Sequence, residues 1–285
     1  MSEIAIVTDS TACIPQELIA DLPITVLPLN IIWNGETYQE GIDIDVDEFY
    51  SRLKTEKTSP TTSQPSPEMF RRVYQKLLDE GKEVVSIHIS ARLSGTVFSA
   101  MQARSQLDTD RVEIVDSRVA SMALGFSVLA AARAAKEGAY LDEVKAIAER
   151  CSSNAGALFT VTTLEYLHRG GRIGGASAFL GTALDLKPIL MLVDGKIEPV
   201  ERVRTMGKAL DHLVVQLKKQ IGKKSPLNFA VIHAMCPEEG QKLLDRVCDA
   251  FPTNQIDSAI LSDISPVIGT HTGPGTLGIA YMTGI

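Results

Sequence analysis

Ser94 is the residue from which an anion site is most readily built. It stands in Ala91-Arg92-Leu93-Ser94-Gly95-Thr96, after an apolar, β-branched run at 84–89 and before a stretch at 96–107 that reads as a helix. Ser94 and Gly95 therefore fall in a strand-to-helix turn, the place where open α/β sheets receive ligands. The first N–H groups of a helix lack intrahelical partners, and the helix dipole adds partial positive charge there. A small anion is held well at such a point; the plainer role for Ser94 is a helix cap. Three other clusters carry matching chemistry. Thr61-Thr62-Ser63-Gln64 presents hydroxyls from a loop rich in Ser, Thr and Pro, free to face an anion or their own backbone. His168-Arg169-Gly170-Gly171-Arg172 sets two guanidiniums around a glycine pair, suited to a carboxylate or phosphate or simply to a solvated helix end. Thr270-His271-Thr272-Gly273-Pro274-Gly275 puts an imidazole on a rigid turn, where it serves as a donor or as a structural loop residue.

Positioning these clusters requires an alternation of strands and helices. Residues 4–7 read as a buried strand and 8–11 as the turn after it. Pro15 opens a helix to about residue 20. Residues 24–33 are rich in β formers and run into Asn34-Gly35, a hairpin signal. A short helix at 47–53 leads into an ordered loop or crossover at 54–67. Ser66 then caps a helix with Pro67 in its first turn and Phe70, Val73 and Leu77 on one face. After the central strand and helix come a strand at 112–115 and helices at 119–135 and 141–151. This grammar predicts a mostly parallel sheet flanked by helices.

Beyond about residue 155 the pattern changes. A strand at 157–162 precedes a short helix at 164–169 closed by Gly170, and a small-residue helix at 176–184. Lys187–Val193 and Lys196–Val203 flank Asp194-Gly195, a type I′ hairpin. Met206–Ile221 is an amphipathic helix. A strand at 229–234, a helix at 240–251 and strands at 256–261, 267–268 and 276–282 complete a mixed sheet. The expectation is a two-lobed α/β protein, with an N-terminal lobe at 1–155 and a C-terminal lobe at 156–285.

Composition narrows the function. The 285 residues are 45% hydrophobic and 22% charged, with a formal net charge of −7. That suits a full globular core and argues against nucleic acid as a partner, which calls for a basic surface. The N-terminus runs directly into an apolar strand without a signal-peptide pattern, and no apolar run reaches about 18 residues. Cys13, Cys151, Cys236 and Cys248 lack metal-like spacing and read as reduced thiols of a cytoplasmic protein. Neither a Walker A pattern nor G-x-G-x-x-G is present, so a nucleotide reading is weak. There is no H-E-x-x-H or Cys/His cluster for a metal.

Taken in series, the motifs resemble those of the DegV family, the fatty-acid-binding proteins of bacterial fatty acid kinase systems. They are Thr62-Ser63-Gln64-Pro65; Leu93-Ser94-Gly95-Thr96 with Ser99-Ala100; Tyr166-Leu167 with Arg169-Gly170-Gly171-Arg172-Ile173; Lys187-Pro188-Ile189; and His271-Thr272-Gly273-Pro274-Gly275-Thr276. The resemblance spans essentially the whole chain. It implies a long-chain fatty acid bound between the lobes as ligand, with no other cofactor. Its carboxylate would be held by Thr62, the better match of the threonine doublet, and Ser94, with Ser63, Gly95, Arg172 and His271 at or near the same end. It also implies a protein that performs no chemistry. The acid is presented to a separate ATP-dependent kinase subunit that makes acyl phosphate for phospholipid synthesis, with transient contact at a membrane surface. Phe98, Met101, Phe126, Phe159 and Phe179 are the candidate aromatic and thioether linings of the tail cavity.

The rival from another class is a serine hydrolase with Ser94 as nucleophile and His271 as base. Leu93-Ser94-Gly95 lacks the G-x-S-x-G elbow, and an acid for His271 would have to be Asp9, Asp116 or Asp263.

Overall fold

The computed structural model describes residues 3–181 and 186–284. In β1 (Ile4–Asp9), side chains alternate between two cores: Ala5 and Val7 enter one, Ile4 and Ile6 the other. A 3₁₀ turn at Ser10–Ala12 leads to the short α1 (Gln16–Ile19). Next come β2 (Ile24–Leu27), β3 (Asn30–Trp33) and β4 (Glu36–Gln39). Asn34 and Gly35 join the last two at φ 55° and 84°, as a type I′ turn requires. α2 (Val46–Thr55), β5 (Thr61–Ser63) and α3 (Pro67–Asp79) follow. Ser66 caps α3 by accepting the Met69 N–H, and Pro67 occupies its first turn. β6 (Glu83–His88), α4 (Thr96–Ser105), β7 (Val112–Asp116), α5 (Met122–Lys136) and α6 (Leu141–Ser153) complete the first half.

The second half runs β8 (Ala155–Thr160), α7 (Glu165–Arg169), β9 (Lys187–Val193), β10 (Lys196–Val203), α8 (Met206–Ile221), β11 (Leu227–His233), α9 (Pro237–Ala250), β12 (Ile256–Asp263), α10 (Pro266–Thr272) and β13 (Leu277–Thr283).

Three sheets result. The first is parallel with order β2-β1-β6-β7; the second is mixed with order β10-β9-β8-β13-β11-β12; the third is a small antiparallel sheet, β4-β3-β5. α3 and α4 cover one face of the parallel sheet, where Phe70, Tyr74 and Ala100 meet Val7 and Val84. α5 packs between the two large sheets, touching β1 and β6 on one side and β8, β11 and β13 on the other. Ten of its fifteen residues are buried, which is why its sequence is apolar all round rather than striped. α8 and α9 close the far face of the mixed sheet through Leu213, Leu217, Leu243 and Val247. The layers therefore run helix, sheet, helix, sheet, helix. Every strand before residue 155 belongs to the first or third sheet and every later one to the second. One apolar core nevertheless joins Ile6, Ile87 and Met122 to Ile232, Val267 and Ala280. No helix among the described residues is long and apolar enough to cross a membrane.

Several elements differ from the sequence reading. The crossover at 54–67 contains a strand, β5, whose Thr61-Thr62-Ser63 carries no apolar alternation and exists by pairing with β3. Val267-Ile268 is helical, not extended. Ser265 and Pro266 open α10 as cap and first residue, and Glu40 takes the Val267 N–H. α5 begins at Met122 because Ser121 sits at φ 57°, outside helical geometry. Residues 174–179 form a 3₁₀ segment that ends in a turn at 180–181; the remainder of that expected helix, 182–184, lies outside the described residues. Gly170 is right-handed, and it is Gly171, at φ 70°, that takes the left-handed turn after α7.

Candidate functional site

The parallel sheet's topology creates a crevice. The chain passes from β1 outward to β2, then returns to β6 and β7 on the opposite side. Its strand order therefore reverses between β1 and β6. Loops leaving the C-terminal ends of these strands supply Leu29, Ile89, Leu93, Ser94, Ala120 and Ser121 to one wall of a cleft. The mixed sheet and α10 supply the other wall, including Ala157, Phe159, Leu192, Ile232 and Ile268. The cleft has about 100 Å³ open to a water-sized sphere, within about 860 Å³ of non-atom space that takes in open solvent at its mouth. A buried hydrogen-bond chain stiffens the strand ends behind it. Asp9 accepts from the Ile89 and Thr11 N–H groups and lies 2.9 Å from His88 Nδ1. His88 Nε2 is 2.6 Å from Ser86 Oγ, which also receives the Tyr74 hydroxyl at 2.7 Å.

Polar groups gather where β5, the Ser94 turn, the segment after α7 and the last turn of α10 converge. Thr62 Oγ1 and His271 Nε2 are 2.8 Å apart, although 209 residues separate them. His271 Nδ1 is buried with no hydrogen-bond partner. A Cβ on Gly170 would overlap that nitrogen, so only glycine at 170 lets α7 approach the ring. Burial, and then the nearby Arg172 charge, push the His271 pKa down to about 4. The ring is neutral at pH 7. Arg172 donates from Nε to the Leu93 carbonyl at 3.0 Å and from Nη1 to the Gly170 carbonyl at 2.6 Å. One guanidinium thus ties the loop after α7 to the turn before α4.

Ser94 Oγ lies 2.8 Å from Thr96 Oγ1 and accepts weakly from the Thr96 N–H at 3.4 Å. The hydroxyl therefore caps α4 from two residues ahead while lining the cleft. Ser63 also lines the cleft and receives the Asn30 amide at 3.2 Å. Gly95 is not among the lining residues. It is the residue before α4, and a Cβ there would stand 2.8 Å from the Gln64 Nε2. Its part is to leave room for Gln64, which lines the cleft and was absent from the candidate set. The signal for Gln64 was its place beside Thr62 and Ser63 on the same three-residue strand and its end.

The structure also separates residues that the sequence grouped. Arg169 turns away from the cleft to Ser59, Glu165 and the Tyr166 ring. Of the five candidate tail-lining residues only Phe159 faces the cleft. Phe98 and Met101 are exposed on α4, Phe126 is buried within the core, and Phe179 lies under Arg202. None of the acids considered for His271 serves it. Asp9 is committed to His88, Asp116 accepts the Ala91 and Arg118 N–H groups, and Asp263 lies 3.2 Å from His233. The imidazole faces Thr62, and Ser94 faces Thr96, so the pairing a serine hydrolase needs is not made. No cluster of three or more His, Cys, Asp or Glu suited to a metal occurs among the described residues.

Fold and cleft define a class: an α/β binding protein with two large sheets and a small third one, whose apolar crevice carries neutral hydroxyls, an imidazole and a guanidinium. Comparison with known proteins gives the family. The DegV family pattern, described as an uncharacterised protein family, matches residues 3–284, and the chain belongs to that family. A DegV domain-containing protein of Streptomyces coelicolor is 40% identical over 277 residues, covering 97% of each chain. Among solved structures, a DegV family protein from Thermus thermophilus described by its fatty acid binding superposes with TM-score 0.93 at 37% identity, covering 99% of both chains. DegV of Bacillus subtilis, described as a fatty acid binding protein, gives TM-score 0.88 at 36% identity over 99% of this chain and 100% of that one.

Proposed function

We propose that this protein binds a long-chain fatty acid in the cleft and presents its carboxylate to a separate ATP-dependent kinase for acyl phosphate formation. The observation that carries the reading is the polarity of the cleft. Thr62, Ser63, Gln64, Ser94, Arg172 and His271 come from the converging segments described above, and the rest of the lining is mainly aliphatic, with Ser121, Thr272 and Thr276 among it. Each buried methylene contributes about 0.8 kcal/mol, so a dozen give roughly 10 kcal/mol before ordering costs. A carboxylate drawn into the same space needs donors. The hydroxyls of Thr62 and Ser94 supply them. With its proton on Nε2, neutral His271 donates to Thr62 and leaves the threonine proton for the ligand. Arg172 adds positive charge while its donors fix the surrounding loops.

In this reading the chain binds and orients; bond making falls to the kinase, and the acid is gathered and released at a membrane surface. Calorimetric titration with a long-chain fatty acid tests the binding. One-to-one saturation in the wild type and a loss of affinity in Ser94→Ala are expected; identical affinities would remove Ser94 from the site. Hydroxylamine trapping of acyl phosphate in the presence of kinase and ATP tests the presentation. Hydroxamate should form only when the loaded protein is included, and its formation from free acid alone would contradict the role.

A further inference from the structure

α10 is seven residues long, too short to hold its own geometry, yet it carries the imidazole of the head-group end. Its shape is imposed from outside. The Ser265 cap is long, 3.5 Å from hydroxyl to the Ile268 N–H. A much shorter bond comes from 227 residues away, where Glu40 Oε1 accepts the Val267 N–H at 2.6 Å. Glu40 follows β4 directly and is 6% exposed, and its own N–H is fixed to the Leu29 carbonyl at 3.0 Å. Its second oxygen is buried without a well-formed hydrogen bond, although the Ser10 and Ser265 hydroxyls lie near the carboxylate, so the bond of well-formed geometry that the side chain makes is the one from Oε1 to α10. Val267 and His271 are four residues apart, one helical turn, and both line the cleft. Tyr50 completes the grip. Its hydroxyl donates to the Ile264 carbonyl at 3.0 Å, and Gly269 has no space for a Cβ against it.

We propose that Glu40 is a positioning residue for carboxylate recognition: by fixing the first turn of α10 it sets the His271 imidazole against Thr62. This rests on the fatty-acid reading above. The carboxylate does not touch the ligand; it acts through the helix. Burial pushes the Glu40 carboxyl pKa upward, so a neutral amide of the same shape is a close substitute, its oxygen still able to accept the Val267 N–H.

The test compares a saturated fatty acid with the fatty alcohol of equal length, in wild type, Glu40→Ala, Glu40→Gln, His271→Ala and the Glu40→Ala/His271→Ala double variant. Glu40→Ala should weaken the acid about tenfold and the alcohol by no more than about twofold, the cost of one misdirected charged hydrogen bond. Glu40→Gln should restore the acid to within about twofold of wild type. In the His271→Ala background, Glu40→Ala should cost the acid nothing further. If Glu40→Ala does not fold, Glu40→Asp, shorter by one methylene, should show the same acid-selective loss at smaller size. Equal losses for acid and alcohol, or an undiminished loss in the His271→Ala background, would reduce Glu40 to a general structural role and overturn the proposal. A wild type that binds neither probe overturns the fatty-acid reading itself, and this role with it.

Discussion

The two ends of the cleft are built on opposite principles. At the polar end, several groups are placed by a few directed contacts across long sequence separations: Thr62 to His271, Arg172 to Leu93, Glu40 to Val267. At the apolar end, the wall is the rim of the cores themselves, with Ile232 belonging to the same cluster that holds Ile6 and Met122. Directed contacts fail when one atom moves; a packed wall gives way gradually. Specificity for a carboxylate therefore lives in geometry at one end, and affinity for a long tail lives in buried area at the other.

The largest expected effect comes from the polar end. Gly170→Ala drives a Cβ into His271 Nδ1, and affinity for a long-chain acid should fall about 100-fold, or ~3 kcal/mol by calorimetry. A variant that binds normally would show that the ring is not held between Gly170 and Thr62. Thr62→Val keeps the shape of β5 and removes the hydroxyl. It should weaken the acid by about tenfold, ~1.5 kcal/mol, and leave the matching alcohol nearly unaffected. On the apolar wall, Leu192→Trp fills part of the space. Its effect should be a preference for shorter acids with a change of about 1 kcal/mol or less for those that still fit. A carboxylate-specific loss there would erase the distinction between the ends.

Acid sharpens the contrast further. The folded-state pKa of His271 is lowered from 6.5 to about 4, chiefly by burial and then by Arg172. The unfolded chain thus takes up the proton first as pH falls. The stability contributed by the neutral ring is complete above pH 6.5 and is lost progressively toward pH 4. Thermal melts of His271→Ala should lack this portion of the pH dependence, and NMR should find the wild-type ring titrating near 4. A ring titrating at 6.5 would show it is solvated rather than held.

Much of this was legible in the residues. The alternation of strands and helices, the Asp194-Gly195 turn and the Ser66-Pro67 helix start all follow from local chemistry. So did the Ser94 turn, because a strand followed by Ser-Gly and a helix restricts where that hydroxyl goes. What local chemistry does not hold is β5 and α10. Thr61-Thr62-Ser63 becomes a strand only because β3 offers an open edge. Val267-Ile268 favours a strand by its β-branched side chains. Yet Ser265-Pro266 repeats the cap-and-proline start that marked α3, a signal outweighed in the reading of 267–268. Which of the candidate tail-lining residues face the cleft was not legible for a related reason. Helical spacing says which residues share a face, but not whether Phe98 and Met101 look toward a neighbour or toward water.

The most direct test of the central claim is native mass spectrometry of the protein purified from cells, followed by lipid extraction. The account predicts one long-chain fatty acid per chain, displaced by an excess of another acid and retained poorly by Gly170→Ala. A lipid-free protein that also ignores added fatty acid would contradict it.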